Sequence, residues 1–395
     1  ALLTKNAINY SQVHKTSVRA ALRQLQVKVR QNAIGGVVRP RDSDLTRVMS
    51  TEGYVDDFPK ESVPRELLQS SSSKGSMITL GYLRGLVKEE LGKGSYGKVV
   101  LLESKEDPTV TAVAVKAQAP TDCLGLEYTI LKAVQERVEP YCTGHFPFPR
   151  ALSFVSVSDG ALLGMTNASQ SGINLVDLVN VYKAVEDTPV PELIALHYTI
   201  LMLKIIETLH WHGKILHCDA KPDNWVLSNS NSAFEGCTEE IPGSGLMLVD
   251  FGKAVDLTTA AKSGTDAMNV VLRGSASDQQ MECAAMRKGL GWSFDADTFG
   301  ICAGAHALLY GTHIEIDFNS LTRRWMPRKP LRRYWKKDLW TDFFDTLLNL
   351  DKVSLTALGS RPGSLRDLRK KMESHVQTRT SELESLLRHQ GRILP

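Results

Sequence analysis

Four short stretches of the chain gather residue types that suit the handling of a nucleoside triphosphate. The first is Gly92-Lys93-Gly94-Ser95-Tyr96-Gly97-Lys98-Val99. Glycines at this spacing let backbone N–H groups approach phosphate oxygens with no Cβ in the way. Three such glycines could also open a dinucleotide-binding helix, but Val99-Val100-Leu101-Leu102 continues as a strand, which assigns the glycines to a hairpin. Gly92, Lys93, Gly94, Ser95, Gly97 and Val99 are the candidate nucleotide contacts. The second stretch, Val113-Ala114-Val115-Lys116, is an apolar strand ending in one lysine, placed to grip α- and β-phosphates. Lys116 needs an acidic partner on a following helix. Glu127 opens a helical pattern at the right distance, with Glu136 as the alternative.

The third stretch is His217-Cys218-Asp219-Ala220-Lys221-Pro222-Asp223-Asn224, between a long helical pattern and the strand-like Trp225-Val226-Leu227. Such a polar cluster between two apolar elements is costly unless it has a task. Asp219 would accept or orient the proton of an attacking hydroxyl, Lys221 would offset charge on a moving γ-phosphate, and Asn224 would hold Mg²⁺. The fourth is Asp250-Phe251-Gly252 after Leu246-Met247-Leu248-Val249. An apolar strand that delivers a carboxylate at its end suits a magnesium ion bridging the phosphates of ATP.

Rigid elements must position these groups. Strand-like runs at residues 86–91, 99–103, 110–116, 152–157 and 161–165 come first. Helical patterns follow: residues 192–212 set Ile194, Tyr198, Leu201, Ile205 and Leu209 along one stripe, residues 299–310 are apolar nearly all round, and residues 365–387 form an amphipathic stretch. Strands first and helices later predict an α+β, two-lobed fold: a small β-rich lobe over residues 86–167 and a large helical lobe over 168–395. Residues 1–85 read as an N-terminal extension packing on them. It begins with a helix at 12–30, whose Val18, Leu22, Leu25 and Val29 share a face, and continues as an irregular wrap over 31–85. Residues 228–245 read as a surface loop.

Composition narrows the class. Of 395 residues, 23% are charged and 42% hydrophobic, as in ordinary globular proteins, and a net charge of +3 does not imply nucleic-acid binding. The six cysteines, Cys123, Cys142, Cys218, Cys237, Cys283 and Cys302, include no CxxC pair, so they support neither zinc nor a disulfide framework and suit the reduced cytosol or nucleus. No uninterrupted apolar run approaches the roughly 18 residues that span a bilayer, so no membrane role is expected. The start, without Met or a signal-peptide core, reads as the cut end of a longer protein.

Two features depart from the common pattern of ATP-dependent phosphotransferases acting on proteins. Cys218 stands where an arginine often precedes the catalytic aspartate, which removes a receptor for an activation-loop phosphate. The segment after Asp250 has no clear Ala-Pro-Glu; its nearest match is Gln280-Met281-Glu282-Cys283.

From about Val87 to the C-terminus the chain resembles the Bub and BubR mitotic-checkpoint kinases. The resemblance is carried by Cys218 before Asp219 and by Val249-Asp250-Phe251-Gly252-Lys253-Ala254-Val255-Asp256-Leu257. It continues through Cys283, Met286, Trp292, Asp297-Thr298-Phe299-Gly300, Leu309-Tyr310-Gly311-Thr312 and Leu339-Trp340-Thr341-Asp342-Phe343-Phe344. It implies a protein-kinase fold using ATP and Mg, Ser/Thr phosphorylation of a histone tail, kinetochore and checkpoint partners, and a nuclear or kinetochore location with a cytoplasmic pool. It also implies a monomeric kinase domain and a TPR region further upstream. Some BubR members are pseudokinases that act as scaffolds, and that is the alternative reading. A small-molecule kinase is disfavoured by Lys221, two residues after Asp219. The basic, aromatic stretch at 323–340 reads as a solvated loop anchored by tryptophans, with binding of nucleosomal DNA or an acidic partner as the second reading.

Overall fold

The computed structural model describes residues 7–34, 54–58, 62–64, 67, 74–80, 83–93, 97–103, 113–119, 123–142, 145–167, 172–228, 245–261, 266–276, 279–350 and 365–394. The expected loop at 228–245, apart from its ends, and the serine run at 70–73 lie outside the described residues. The chain divides into two compact units. One joins Lys15–Glu136 to Phe148–Gly172; the other joins Ala1–His14, Arg137–Pro147 and Ile173–Pro395.

The first unit is built on a sheet. Helix α1 (Tyr10–Ile34) contributes its residues from Lys15 onward. Val18, Ala21 and Leu25 recur at helical spacing and are buried, while Lys15, Arg19 and Arg23 face solvent. Seven strands follow: β1 (Tyr54–Phe58), β2 (Met77–Leu80), β3 (Leu83–Lys93), β4 (Gly97–Glu103), β5 (Val113–Gln118), β6 (Ala151–Val157) and β7 (Gly160–Thr166). They run in the order β1-β6-β7-β5-β4-β3-β2, antiparallel except for the parallel β1–β6 pair. Val87, Val100, Val115, Val155 and Leu162 lie in its core. Helix α2 (Cys123–Val138) comes close to α1 at Gly125, where a Cβ would sit 3.0 Å from Leu22.

Two of these strands, β1 and β2, fall in the segment expected to be an irregular wrap. Both are short, and β1 carries Asp56 and Asp57, which interrupt the apolar run expected of a buried strand. Their partners decide the conformation: β1 pairs residue for residue with β6, roughly a hundred positions away.

The second unit is helical. Helix α3 (Leu175–Glu186) opens on a reciprocal cap, with Asn174 accepting from the N–H groups of Val176 and Asp177 while Asp177 accepts from Asn174. Helix α4 (Glu192–Thr208) is the apolar centre of the unit, with thirteen buried residues. With its wider last turn it reaches Gly213, a 22-residue helix apolar enough by composition to cross a membrane. Scattered polar residues had hidden that average in the sequence. Burial on nearly every side accounts for the composition. Helix α5 (Asp295–Tyr310) is likewise buried all round, and α6 (Lys337–Leu348) follows a β-hairpin. The stretch expected as one helix over 365–387 is two, α7 (Leu365–Gln377) and α8 (Thr380–Ile393). The chain turns at Arg379, whose N–H donates to Val376 and whose guanidinium pairs with Glu382.

Gly300 of α5 lies against the segment that carries Asp219: a Cβ there would be 2.5 Å from the carbonyl oxygen of Ala220. Gly→Ala inside a helix is normally stabilising. Here the contact is with backbone, so Gly300→Ala is expected to destabilise by about 1–3 kcal/mol in urea denaturation. His306, on the same helix, is buried with Nδ1 at 2.9 Å from the carbonyl of Thr312, and burial lowers its pKa to about 4. Because the unfolded chain takes up this proton near pH 6.5, stability falls as pH drops from there toward 4, by up to about 1.4 kcal/mol per unit. His306→Phe is expected to shrink the stability difference between pH 7 and pH 5 in the same measurement.

Candidate active site

In the sheet unit, strand register puts three of the named residues in one row. Gly92 on β3 is opposite Val99 on β4, and Val99 is opposite Lys116 on β5. Directly opposed residues share a face and lie about 5 Å apart, so the glycine hairpin and the lysine meet without any loop to place them. Lys93 pairs with Lys98; Gly94, Ser95 and Tyr96 lie outside the described residues. Gly97 is required by the sheet itself, since a Cβ there would be 1.9 Å from the carbonyl oxygen of Ala117. Gly92 differs: among the described residues nothing lies within 4 Å of where its Cβ would be, which leaves room for a phosphate. Lys98 is buried and pairs with Glu90 at 3.0 Å, so this lysine belongs to the sheet.

Lys116 Nζ lies 2.7 Å from Glu127 Oε2, with 13% of the lysine side chain and 3% of the glutamate exposed. Glu127 sits near the start of α2, where the helix turns this carboxylate inward and leaves Glu136 in solvent. Of the two candidate acids, Glu127 is the one brought to Lys116.

In the helical unit, the segment from His217 to Asn224 is pinned from beneath by Asp297, fully buried on α5. Its carboxylate accepts from the backbone N–H of His217 at 2.8 Å and of Cys218 at 2.7 Å, and lies 2.7 Å from Nε2 of His210. Burial alone would raise its pKa. The His210 hydrogen bond, together with the backbone N–H of His217, more than offsets that and holds the carboxyl below its usual range. To aim its N–H downward, Cys218 takes a left-handed backbone, φ +63°. Its buried thiol is pushed well above the usual range, by burial first and then by Asp297 and Asp219.

The reactive groups lie above this anchor. Asp219 is 5% exposed; Lys221 Nζ is 3.5 Å from Oδ2 and Lys253 Nζ 3.3 Å from Oδ1. Burial opposes the charge on Lys221, but Asp219, Asp223 and Asp250 outweigh it and raise its pKa. Asn224 Nδ2 donates to the Asp219 carbonyl at 2.8 Å, which leaves its amide oxygen as the ligand atom. Asp250 has φ +67°, a conformation that non-glycine residues adopt at a cost and that clusters at functional sites. Phe251 is fully buried, edge-on to His217 at 4.7 Å between ring centroids. His217 accepts from the Asp219 N–H at Nδ1 and donates through Nε2 to Val249, and burial lowers its pKa, so it is a neutral spacer between the two loops.

Among the described residues no group of three His, Cys, Asp or Glu could hold a metal by itself. Magnesium does not need one, because it keeps waters and phosphate oxygens and takes one or two protein oxygens. The Asp250 carboxylate and the Asn224 amide oxygen are hard donors of that kind and fit the ion.

No protein-family model matches the chain. It is 29% identical over 314 residues to the Arabidopsis thaliana mitotic checkpoint serine/threonine-protein kinase BUB1, covering 77% of the chain. It is 29% identical over 300 residues to the Saccharomyces cerevisiae spindle assembly checkpoint serine/threonine-protein kinase BUB1, covering 73%. The Mus musculus BUB1 checkpoint kinase is 27% identical over 274 residues. The chain is a homologue of the Bub checkpoint kinases. It spans 56% of the length of the Arabidopsis relative, 28% of the yeast one and 24% of the mouse one. The crystal structure of the BubR1 kinase domain superposes with a TM-score of 0.72 over 96% of this chain and 98% of that one, at 20% identity, which shows the protein-kinase fold.

Several supporting groups stand outside the motifs read for chemistry. Asp297 and Lys253 occur only in the longer resemblance, and His210 carried no signal beyond its place at the end of an apolar helix. Tyr10 and His14 were also missed: the Tyr10 hydroxyl donates to the Lys253 carbonyl and His14 Nε2 lies 2.9 Å from the Gly252 carbonyl. The basic stretch at 323–340 supplies the second strand of a hairpin, β8 (Ile316–Asn319) with β9 (Arg324–Pro327), and the start of α6. Arg324 pairs with Asp345, Arg328 with Glu315 and Asp317, and Lys336 with Asp338, while Trp335 and Trp340 are buried. Three of its basic side chains thus have acidic partners nearby, and its tryptophans anchor it.

Asp297→Ala would leave buried donors unpaired and is expected to destabilise the protein by roughly 3–5 kcal/mol, read from denaturant midpoints.

Proposed function

We propose that the chain is an active Ser/Thr protein kinase that transfers the γ-phosphate of ATP to a hydroxyl on a protein. The observation that carries this reading is the buried Lys116–Glu127 pair at 2.7 Å, a contact that working kinases need and that a scaffold has no reason to keep. Lys116 would take the α- and β-phosphates, and the backbone around Gly92 and Gly97 the phosphate oxygens. Asp219 would orient the acceptor hydroxyl and receive its proton. The acceptor oxygen bonds to the γ-phosphorus as the bond from that phosphorus to the bridging oxygen breaks, and ADP leaves. Lys221, kept protonated by its acidic neighbours, offsets charge on the moving group. A magnesium ion held by Asn224 and Asp250 would neutralise the phosphate chain. With neighbours named as checkpoint kinases, the proposed setting is the kinetochore in the nucleus, with checkpoint proteins as partners and a histone tail as first substrate.

The test is labelled-phosphate transfer from ATP to histones beside Asp219→Asn. The wild type is expected to transfer and the variant to lose about 10²–10⁴-fold in kcat, with transfer abolished by a magnesium chelator. No transfer together with no thermal stabilisation by ATP and magnesium would leave the scaffold reading in its place.

A further inference from the structure

The carboxylate of Asp219 has a lysine on each oxygen. Lys221 approaches Oδ2 at 3.5 Å from its own loop, and Lys253 approaches Oδ1 at 3.3 Å from the turn after Asp250. Both distances exceed the 2.7–2.9 Å of a tight charge-assisted bond, and the two lysine side chains are 29% and 36% exposed. One carboxylate cannot neutralise two ammonium groups that it also draws together. The Lys253 backbone is meanwhile held firmly: its carbonyl accepts from Tyr10, that of Gly252 faces His14, and Phe251 is locked beneath His217. A fixed backbone with a loosely held cationic head is the form of a group that meets charge arriving during the reaction.

We infer that Lys253 is a second phosphoryl-facing cation, which leaves Asp219 Oδ1 for the non-bridging oxygens of the transferring phosphate while Lys221 acts from the other oxygen. This rests on the kinase reading above. Lys253 forms no bond and keeps its protons: the acceptor oxygen bonds to phosphorus, the bridging P–O bond gives its electron pair to ADP, and the hydroxyl proton goes to Asp219. Moving Lys253 also frees the oxygen that must receive that proton. A purely structural ion pair is the competing account, and a pair this exposed and this long contributes little to stability.

The experiment compares wild type, Lys253→Met, Lys253→Arg and Asp219→Asn. Lys253→Met is expected to lower kcat on the order of 10²-fold with KM for ATP changed by less than about threefold, and to alter the ratio of rates with ATP and its γ-thio analogue. Lys253→Arg is expected to recover most of the rate. In thermal shift, ADP with magnesium should stabilise wild type and Lys253→Met alike. Aluminium fluoride, which mimics the moving phosphoryl group, should add a further shift only in wild type and Lys253→Arg. A wild type that transfers phosphate beside a Lys253→Met variant within about twofold of it overturns this inference and leaves the kinase reading standing. So does a variant whose rate falls with its melting temperature while the aluminium-fluoride shift persists. A wild type with no transfer and no nucleotide stabilisation overturns both.

Discussion

A single buried carboxylate organises the reactive half of the helical unit. Asp297 has no access to water, so its charge is stable only while donors surround it, and two of those donors are the backbone N–H groups of His217 and Cys218. The dependence runs both ways: the loop supplies what the carboxylate needs, and the carboxylate fixes where the loop lies. Asp219 then follows two residues after the pinned N–H of His217. Gly300 one turn along α5 lets the Ala220 carbonyl approach, and Trp225 closes the loop by donating to that same carbonyl at 3.0 Å. The position of the reactive aspartate is thus inherited from a helix that carries none of the chemistry.

The sheet unit solves its positioning problem differently. It uses cross-strand register, an arrangement with little freedom, because a slip of one residue would send Gly92, Val99 and Lys116 to the opposite face. The Lys116–Glu127 contact ties this row to α2. Lysine and glutamate are both mostly withdrawn from water, so each holds the other's charge in place and sets the rotation of the helix relative to the strand.

How much of this could be read beforehand follows from how local each feature is. The glycine hairpin, the strand ending in Lys116 and the loop from His217 to Asn224 are contiguous, and residue type with spacing was enough to name them. Glu127 was legible because it opens a helical pattern at the right distance after Lys116. Strand β1 was not, because its conformation is supplied by β6, about a hundred residues along the chain, and β2 was not, because its four residues are too short a run to stand out beside the β3 strand they pair with. The break between α7 and α8 was hidden by an amphipathic period that continues through Thr378 and Arg379. Asp297 was visible only as one letter of a longer resemblance. Its role depends on N–H groups about eighty residues upstream, and nothing in its own neighbourhood announces them.

Cys218 sits immediately before the reactive aspartate, an address that would attract designers of thiol-directed covalent reagents. Its sulfur is buried and its proton tightly held, with two carboxylates discouraging the anion. Electrophiles react with the thiolate and need a path to it. Selective ligands for this protein are therefore better sought through reversible contacts than through attachment at that position, and oxidants should spare it as well.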